Sequence, residues 1–227
     1  MYLSCIELDA TTLDVVRLLG SPYRTHAAVE RAFSENAVRE TEKGRILWRV
    51  DTLLDSPIAR LYIASPDQPD LGEWSLRCNL HAESIVSVQS KDYEPFLARI
   101  DGGTRWNFRL KANPVRRVLV DKGRRENQSV VGTLQGHVTV AQQMEWLLER
   151  ADSHGFQIES QDGTPCVLVS NRHRETFKRQ GKTVTLTTAQ YDGVLTVTDV
   201  DAFRLTLCRG VGRAKGFGCG LLTVVPA

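Results

Sequence analysis

Strand-like and helix-like stretches follow one another in the same order twice along this chain of 227 residues. Residues 2–8 alternate as a strand. Thr11 or Thr12 can cap a short helix that runs to Leu19 and stops at Gly20. Ser21-Pro22 opens a second helical stretch, because serine is a good N-cap and proline suits the first helical position. That stretch carries Tyr23, His26, Val29, Ala32 and Phe33. Residues 45–51 and 59–64 are strand candidates, Ser65-Pro66-Asp67-Gln68-Pro69-Asp70 breaks the pattern, and residues 84–89 alternate again. In the second half, residues 104–111 read as a strand. Thr139 and Gln142 form a capping-box pattern before Val140, Met144, Leu147, Leu148 and Ala151 at helical spacing, and Gly155 ends that helix. Strand-like runs at 165–170, 183–188 and 193–198 come next. Asp199 then caps a helix to Cys208, and residues 221–225 form a last strand.

Each half therefore reads approximately β-α-β-β-(α)-β, the second helix being the weaker signal. That is the ferredoxin-like split βαβ order, an α+β class. The expected organisation is two tandem domains, 1–95 and 96–227, with the boundary falling near 90–105. Hydrophobic residues make up 41%, enough for a core without covalent staples. The five cysteines are odd in number, widely spaced and free of any Cys-x-x-Cys, which argues against a disulfide framework or a zinc site and for a reducing cytoplasm. No apolar run approaches the ~20 residues that span a bilayer. The N-terminus soon meets Glu7 and Asp9 and reads as a strand, not a signal peptide. Net charge is +2, but it divides unevenly: residues 1–105 carry 12 basic and 16 acidic side chains, residues 106–227 carry 17 and 11. Such asymmetry points to a polyanion-binding second half.

The segment Gly210-Val211-Gly212-Arg213-Ala214-Lys215-Gly216-Phe217-Gly218-Cys219-Gly220 holds five glycines in eleven residues. It is not a Walker loop, since Lys215 precedes Gly216 and no Ser or Thr follows a Gly-Lys pair. It is not a dinucleotide fingerprint either, because Lys215 stands where the third glycine belongs and only seven residues follow Gly220. Glycine lacks Cβ and tolerates positive φ, so such a segment can bring backbone close to another backbone, with N–H groups free for phosphate and Arg213 and Lys215 supplying charge.

Gly-hydrophobic-Gly, five residues, Gly-hydrophobic-Gly resembles the glycine loop of the RAMP superfamily of CRISPR proteins. The run from Gly218 to Pro226 narrows the resemblance, as do Phe108-Arg109-Leu110-Lys111-Ala112-Asn113-Pro114, Met1-Tyr2-Leu3-Ser4 and Gly193-Val194-Leu195-Thr196-Val197. Together they resemble the CasE family, the crRNA-processing endoribonuclease of type I-E Cascade. The resemblance implies two ferredoxin-like (RRM-like) domains that bind the CRISPR RNA repeat hairpin. It implies metal-independent cleavage at the 3′ base of the stem. It also implies that the product is kept as part of a Cascade that includes the crRNA-binding backbone subunit.

Five histidines occur, none in a metal-ligand spacing, and no cofactor or metal is expected. Metal-free RNA cleavage needs alignment of a 2′-hydroxyl on its phosphate, a proton carrier, and stabilisation of the phosphorane. An imidazole titrates near ~6.5 and suits the proton role, whether as acid or as base. Taken alone, any one histidine is more readily an ordinary packing or surface residue. The resemblance singles out His26, because the family's catalytic histidine lies on the helix after the first strand with a tyrosine three residues before it. Tyr23 and His26 match that pattern and are the expected catalytic pair. Arg24, Arg31 and Ser34 are expected to touch the RNA, Arg31 near the scissile phosphate.

Seven basic residues lie between Arg109 and Arg125 against Asp121 alone, and five between Arg172 and Lys182 against Glu175. Either stretch alone could be a solvated hairpin. The resemblance favours RNA contacts for both. Expected phosphate contacts are Arg116, Arg117, Lys122, Arg124, Arg125, Arg172, Arg174 and Lys178, joined by Gly210, Gly212, Arg213, Lys215, Gly218 and Gly220 from the glycine loop. A non-catalytic RAMP-type RNA binder shares the loop and the basic stretches but does not need Tyr23 and His26 together. A small-molecule regulator on tandem ferredoxin-like folds lacks any pocket motif here.

Overall fold

The computed structural model describes residues 1–52, 55–119 and 131–227. Lys122, Arg124 and Arg125 lie outside the described residues. In chain order the first domain contains β1 (Tyr2–Asp9), α1 (Leu13–Leu19), α2 (Pro22–Glu30), β2 (Leu47–Thr52), β3 (Ile58–Ser65), the single turn α3 (Trp74–Arg77) and β4 (Ile85–Asp92). The strands form one antiparallel sheet in the order β2-β3-β1-β4. After the short α4 (Glu94–Leu97) come β5 (Arg105–Ala112), the ribbon β6 (Val115–Arg117) and β7 (Leu134–Gly136), α5 (Val140–Ala151) and β8 (Phe156–Ile158). The two-residue strands β9 (Ser160–Gln161) and β10 (Thr164–Pro165), β11 (Val167–Arg179), β12 (Lys182–Val197), α6 (Val200–Arg209) and β13 (Leu222–Pro226) complete the chain. Here the sheet order is β11-β12-β5-β13, with β8 also beside β12. In both sheets the domain's first strand lies between its third and its last. That is the ferredoxin-like topology expected from the order of elements.

Local signals placed the helices. Thr139 and Gln142 make the complete capping box at the start of α5, and Asp199 accepts the Ala202 N–H at 3.0 Å at the start of α6. Gly155 closes the 3₁₀ turn after α5 with φ 76°. Ser21 precedes α2 as N-cap by backbone geometry, but its hydroxyl makes no capping bond. Runs 183–188 and 193–198, read as separate strands, are parts of one 16-residue strand, β12. Gln180 and Gly181, with φ 47° and 77°, turn β11 tightly into it.

Each sheet has its own core. Ile6, Leu8, Leu61 and Ile63 pack under α1, α2 and α3 around Trp74, while Phe108, Leu110, Tyr191 and Leu195 pack with Trp146, Phe156 and Phe203. Tyr93, Leu97 and Ile100 already belong to the second core. The domains meet through Leu47, Ala64 and Leu221 and through Arg49, whose side chain is 2% exposed. Arg49 grips both oxygens of Asp51 and donates across the boundary to the Arg109 and Leu221 carbonyls at 2.9 and 2.8 Å and to the Thr223 hydroxyl at 2.7 Å. Among the described residues no helix is long and apolar enough to cross a membrane.

Candidate active site

Helix α2 lies where the two domains meet, and its sequence decides which side chain faces which domain. Thr25, Ala28 and Val29 form its buried face. At ~100° per residue, His26 then stands at one margin of the open arc, Tyr23 and Ala27 near its middle, and Arg24 and Arg31 at the other margin. Arg31 is about 140° around the helix from His26.

The His26 margin faces the second domain. Its half-buried imidazole packs edge-on against Phe217, with ring centroids 6.2 Å apart and planes at 66°. Phe217 closes the 3₁₀ turn Lys215–Phe217 inside the glycine segment. Phe177 of β11 lies 4.9 Å from the Phe217 centroid, and the Arg179 guanidinium lies 5.5 Å over the Phe217 ring. Burial pushes His26 below the ordinary imidazole value of 6.5; Glu30, one turn on, opposes this, and the Arg179 charge lowers it further. A cleft of about 450 Å³ opens beside this point, walled by Pro22, Thr25 and Trp48 on one side and by Lys111, Glu175 and Phe217 on the other. Lys111 Nζ lies 2.9 Å from Glu175 Oε1, which also accepts the Thr188 hydroxyl at 3.1 Å.

The glycine segment builds this wall. Gly210, Gly212, Gly218 and Gly220 all have positive φ, between 72° and 93°. A Cβ on Gly218 would fall 2.6 Å from the Trp48 ring, and one on Gly212 would fall 2.9 Å from the Trp146 ring. At Gly210 and Gly220 it would meet the Gly220 and Val211 carbonyls at 2.7 and 2.8 Å. Gly210, Gly218 and Gly220 are buried, so the surface they approach closely is the protein's own. Arg213 faces outward. Lys215 is half-buried, with Cγ 3.2 Å from the Cβ position of Gly220. Burial depresses its pKa, and nearby Arg45 and Arg209 push the same way against Glu40.

The other expected contacts scatter. Tyr23 is exposed, one turn before His26. Arg24 and Arg31 face a separate groove with Arg17. Ser34 is exposed in the turn beyond α2, where its carbonyl accepts from Arg39 at 3.2 Å. Arg116 and Arg117 are exposed on the ribbon β6–β7. Arg172 is exposed, yet its guanidinium is occupied by the Gln143 side chain at 2.8 Å and by the Val138 carbonyl, which ties β11 to the start of α5. Arg174 and Lys178 lie on one exposed face of β11. Glu175, Phe177 and Arg179 occupy the alternate face, towards the cleft. Sequence reasoning left out Arg179 and Phe217 as neighbours of His26. The parity of β11 was the available signal: from Glu175, every second residue shares a face.

Among the described residues no three His, Cys, Asp or Glu side chains gather as a metal would require. The chain is 28% identical over 236 residues to the CRISPR-associated endoribonuclease Cse3 of Thermus thermophilus, with both chains fully covered. It is 31% identical over 120 residues to the CRISPR system Cascade subunit CasE of Escherichia coli, an alignment covering 52% of this chain and 57% of that protein. A solved structure of CRISPR endoribonuclease Cse3 bound to 19 nt RNA superposes with TM-score 0.78 at 26% identity, covering all of both chains. Thermus thermophilus Cse3 bound to an RNA representing a pre-cleavage complex gives 0.75 at 27% identity, over 99% of this chain and 98% of that one. The model of the CRISPR associated protein family matches residues 1–226, and the chain belongs to that family.

Proposed function

We propose that this protein is a cytoplasmic, metal-independent endoribonuclease that binds the CRISPR repeat hairpin, cuts precursor crRNA at the 3′ base of the stem, and stays on its product as a subunit of type I-E Cascade. The observation that carries the reading is the seat of His26: a half-buried imidazole packed on Phe217, which walls the inter-domain cleft, with the Arg179 guanidinium over the Phe217 ring and Tyr23 one turn away. The full-length likeness to Cse3 supports it. So does the similarity to CasE for the Cascade part, where the backbone subunit and the retained crRNA are the partners.

In this reading the substrate's 2′-oxygen attacks the adjacent phosphorus. The O2′–P bond forms as the P–O5′ bond breaks, and one proton leaves the 2′-oxygen while one reaches the 5′-oxygen. The products are a 2′,3′-cyclic phosphate and a 5′-hydroxyl, and no water is consumed. His26 moves a proton at an imidazole nitrogen, and Tyr23 helps to align the phosphate. Arg179, exposed at the end of β11, supplies positive charge where the phosphorane becomes more negative. Arg174 and Lys178 on β11, with Arg116 and Arg117 on β6, track the phosphates of the stem. Incubation with the cognate repeat RNA in EDTA tests the reading. One cut with a cyclic phosphate end supports it; tight retention without cutting makes the protein a binder only.

A further inference from the structure

Tyr23 separates two surfaces of α2. On the His26 side stand the second domain and the exposed cations of β11. On the other side the first domain carries its own groove of about 380 Å³, walled by Tyr23 and Arg24 of α2, Arg31 at its C-terminal end, Arg17 of α1, and Cys78 and Asn79 after α3. All three arginines are exposed, and among the described residues none is ion-paired with a carboxylate. The one carboxylate in the wall, Asp14, is already engaged: it accepts the His81 N–H and the Ser84 hydroxyl at 2.8 Å and the Val15 N–H at 2.9 Å. Arg24 is held in the groove by the Arg17 carbonyl at 3.2 Å.

A positive groove edged by an exposed aromatic ring is the chemistry that holds single-stranded nucleic acid, with phosphates along the cations and a base stacked on the ring. The direction follows from α2. A stem resting on the second domain reaches the His26 margin first, and a strand that continues past Tyr23 runs into the arginines. We infer that this groove holds the single-stranded RNA beyond the cut, the segment that departs with the 5′-hydroxyl. The inference rests on the endoribonuclease reading above. It gives Arg24 and Arg31 a place on the leaving strand and adds Arg17 and Asn79 to the substrate contacts.

The test compares two RNAs whose 2′-hydroxyl at the cut is replaced by hydrogen. One is the repeat hairpin ending at the cut; the other carries a single-stranded extension beyond it. Binding is measured over a range of salt for the wild type, Arg17→Ala/Arg24→Ala and Arg17→Lys/Arg24→Lys. Each phosphate contact on a single strand contributes about 0.7 to the slope of log affinity against log salt, so the alanine pair should lower that slope by about 1.4. The loss should appear on the extended RNA alone, and the lysine pair should keep the slope, which separates charge from folding. Equal loss on both RNAs, or no loss on either, overturns the inference. Cutting of the extended RNA in all-ribose form by the wild type is read separately. Its absence refutes the endoribonuclease reading, while the slopes on uncut RNA still decide the groove.

Discussion

Gly218→Ala should destabilise the protein far more than Gly163→Ala, although the two glycines have almost the same φ, 77° and 76°. At Gly163 a Cβ meets nothing within 4 Å, so the cost is conformational alone. A left-handed alanine costs roughly 1–2 kcal/mol, of which ~0.4–1 kcal/mol is returned because the unfolded chain also loses freedom. At Gly218 the Cβ falls 2.6, 2.9 and 3.0 Å from three carbons of Trp48. Carbon pairs prefer about 3.5–4.0 Å, and the indole is 4% exposed, so it can give way only towards the cleft it walls, at the expense of its packing under α2. Overpacking adds about 1–3 kcal/mol, giving a total of roughly 1–4.5 kcal/mol. For a chain of this length that corresponds to a melting temperature lower by roughly 2–18 °C, against zero to about 6 °C for Gly163→Ala. Thermal denaturation of both variants in one buffer measures the difference. Equal shifts would mean that φ alone makes these positions glycine, and that contact with Trp48 does not hold the loop to the first domain.

The titration of His26, followed by the NMR signal of its ring protons, should have a midpoint below 6.5 in the free protein. Arg179→Ala should move the midpoint up and Glu30→Gln should move it down. Because the folded value is the lower one, the unfolded chain takes up the proton first. The His26 contribution to stability is therefore full above pH 6.5 and is lost as pH falls below it. A midpoint unmoved by Arg179→Ala would remove Arg179 from the surroundings of His26. Arg174→Ala/Lys178→Ala should weaken hairpin binding and flatten its salt dependence at unchanged stability. Arg172→Ala should in addition lower stability by about 1–2 kcal/mol, because the Gln143 side chain and the Val138 carbonyl lose their donor. Equal melting temperatures for the two variants would sink that distinction.

How much of this was legible in the sequence depended on range. Short-range chemistry was readable: the Thr139–Gln142 box, the Asp199 cap, Pro22 after Ser21, and the order of elements that carries the topology. β12 was split because its buried positions change phase. Leu186 and Thr188 are buried on one parity, Ala189, Tyr191, Leu195 and Val197 on the other, so no single alternation runs through it. The domain boundary blurred because Tyr93, Leu97 and Ile100 directly follow the first sheet yet pack into the second core. The glycine segment was recognised, but the partners of its glycines were not. Trp48 and Trp146 lie far off in the chain, and a missing Cβ does not say which ring fills its place. Phe217 and His26 lie about 190 residues apart, and their contact follows only from how the domains dock. Arg172 looked like its basic neighbours, and only the fold reveals that its donors are turned inward.

If His26 moves the proton and the second domain holds the stem, one substitution should separate cutting from binding. The direct measurement is cleavage and binding of the cognate repeat hairpin by wild type and His26→Ala, in EDTA, with the product ends identified. The wild type should make one cut at the 3′ base of the stem, leaving a 2′,3′-cyclic phosphate. His26→Ala should cut about 10²–10⁴-fold more slowly, with hairpin affinity within a few-fold of wild type. Undiminished cleavage by His26→Ala, or cleavage that stops in EDTA, would remove His26 or metal independence from the mechanism.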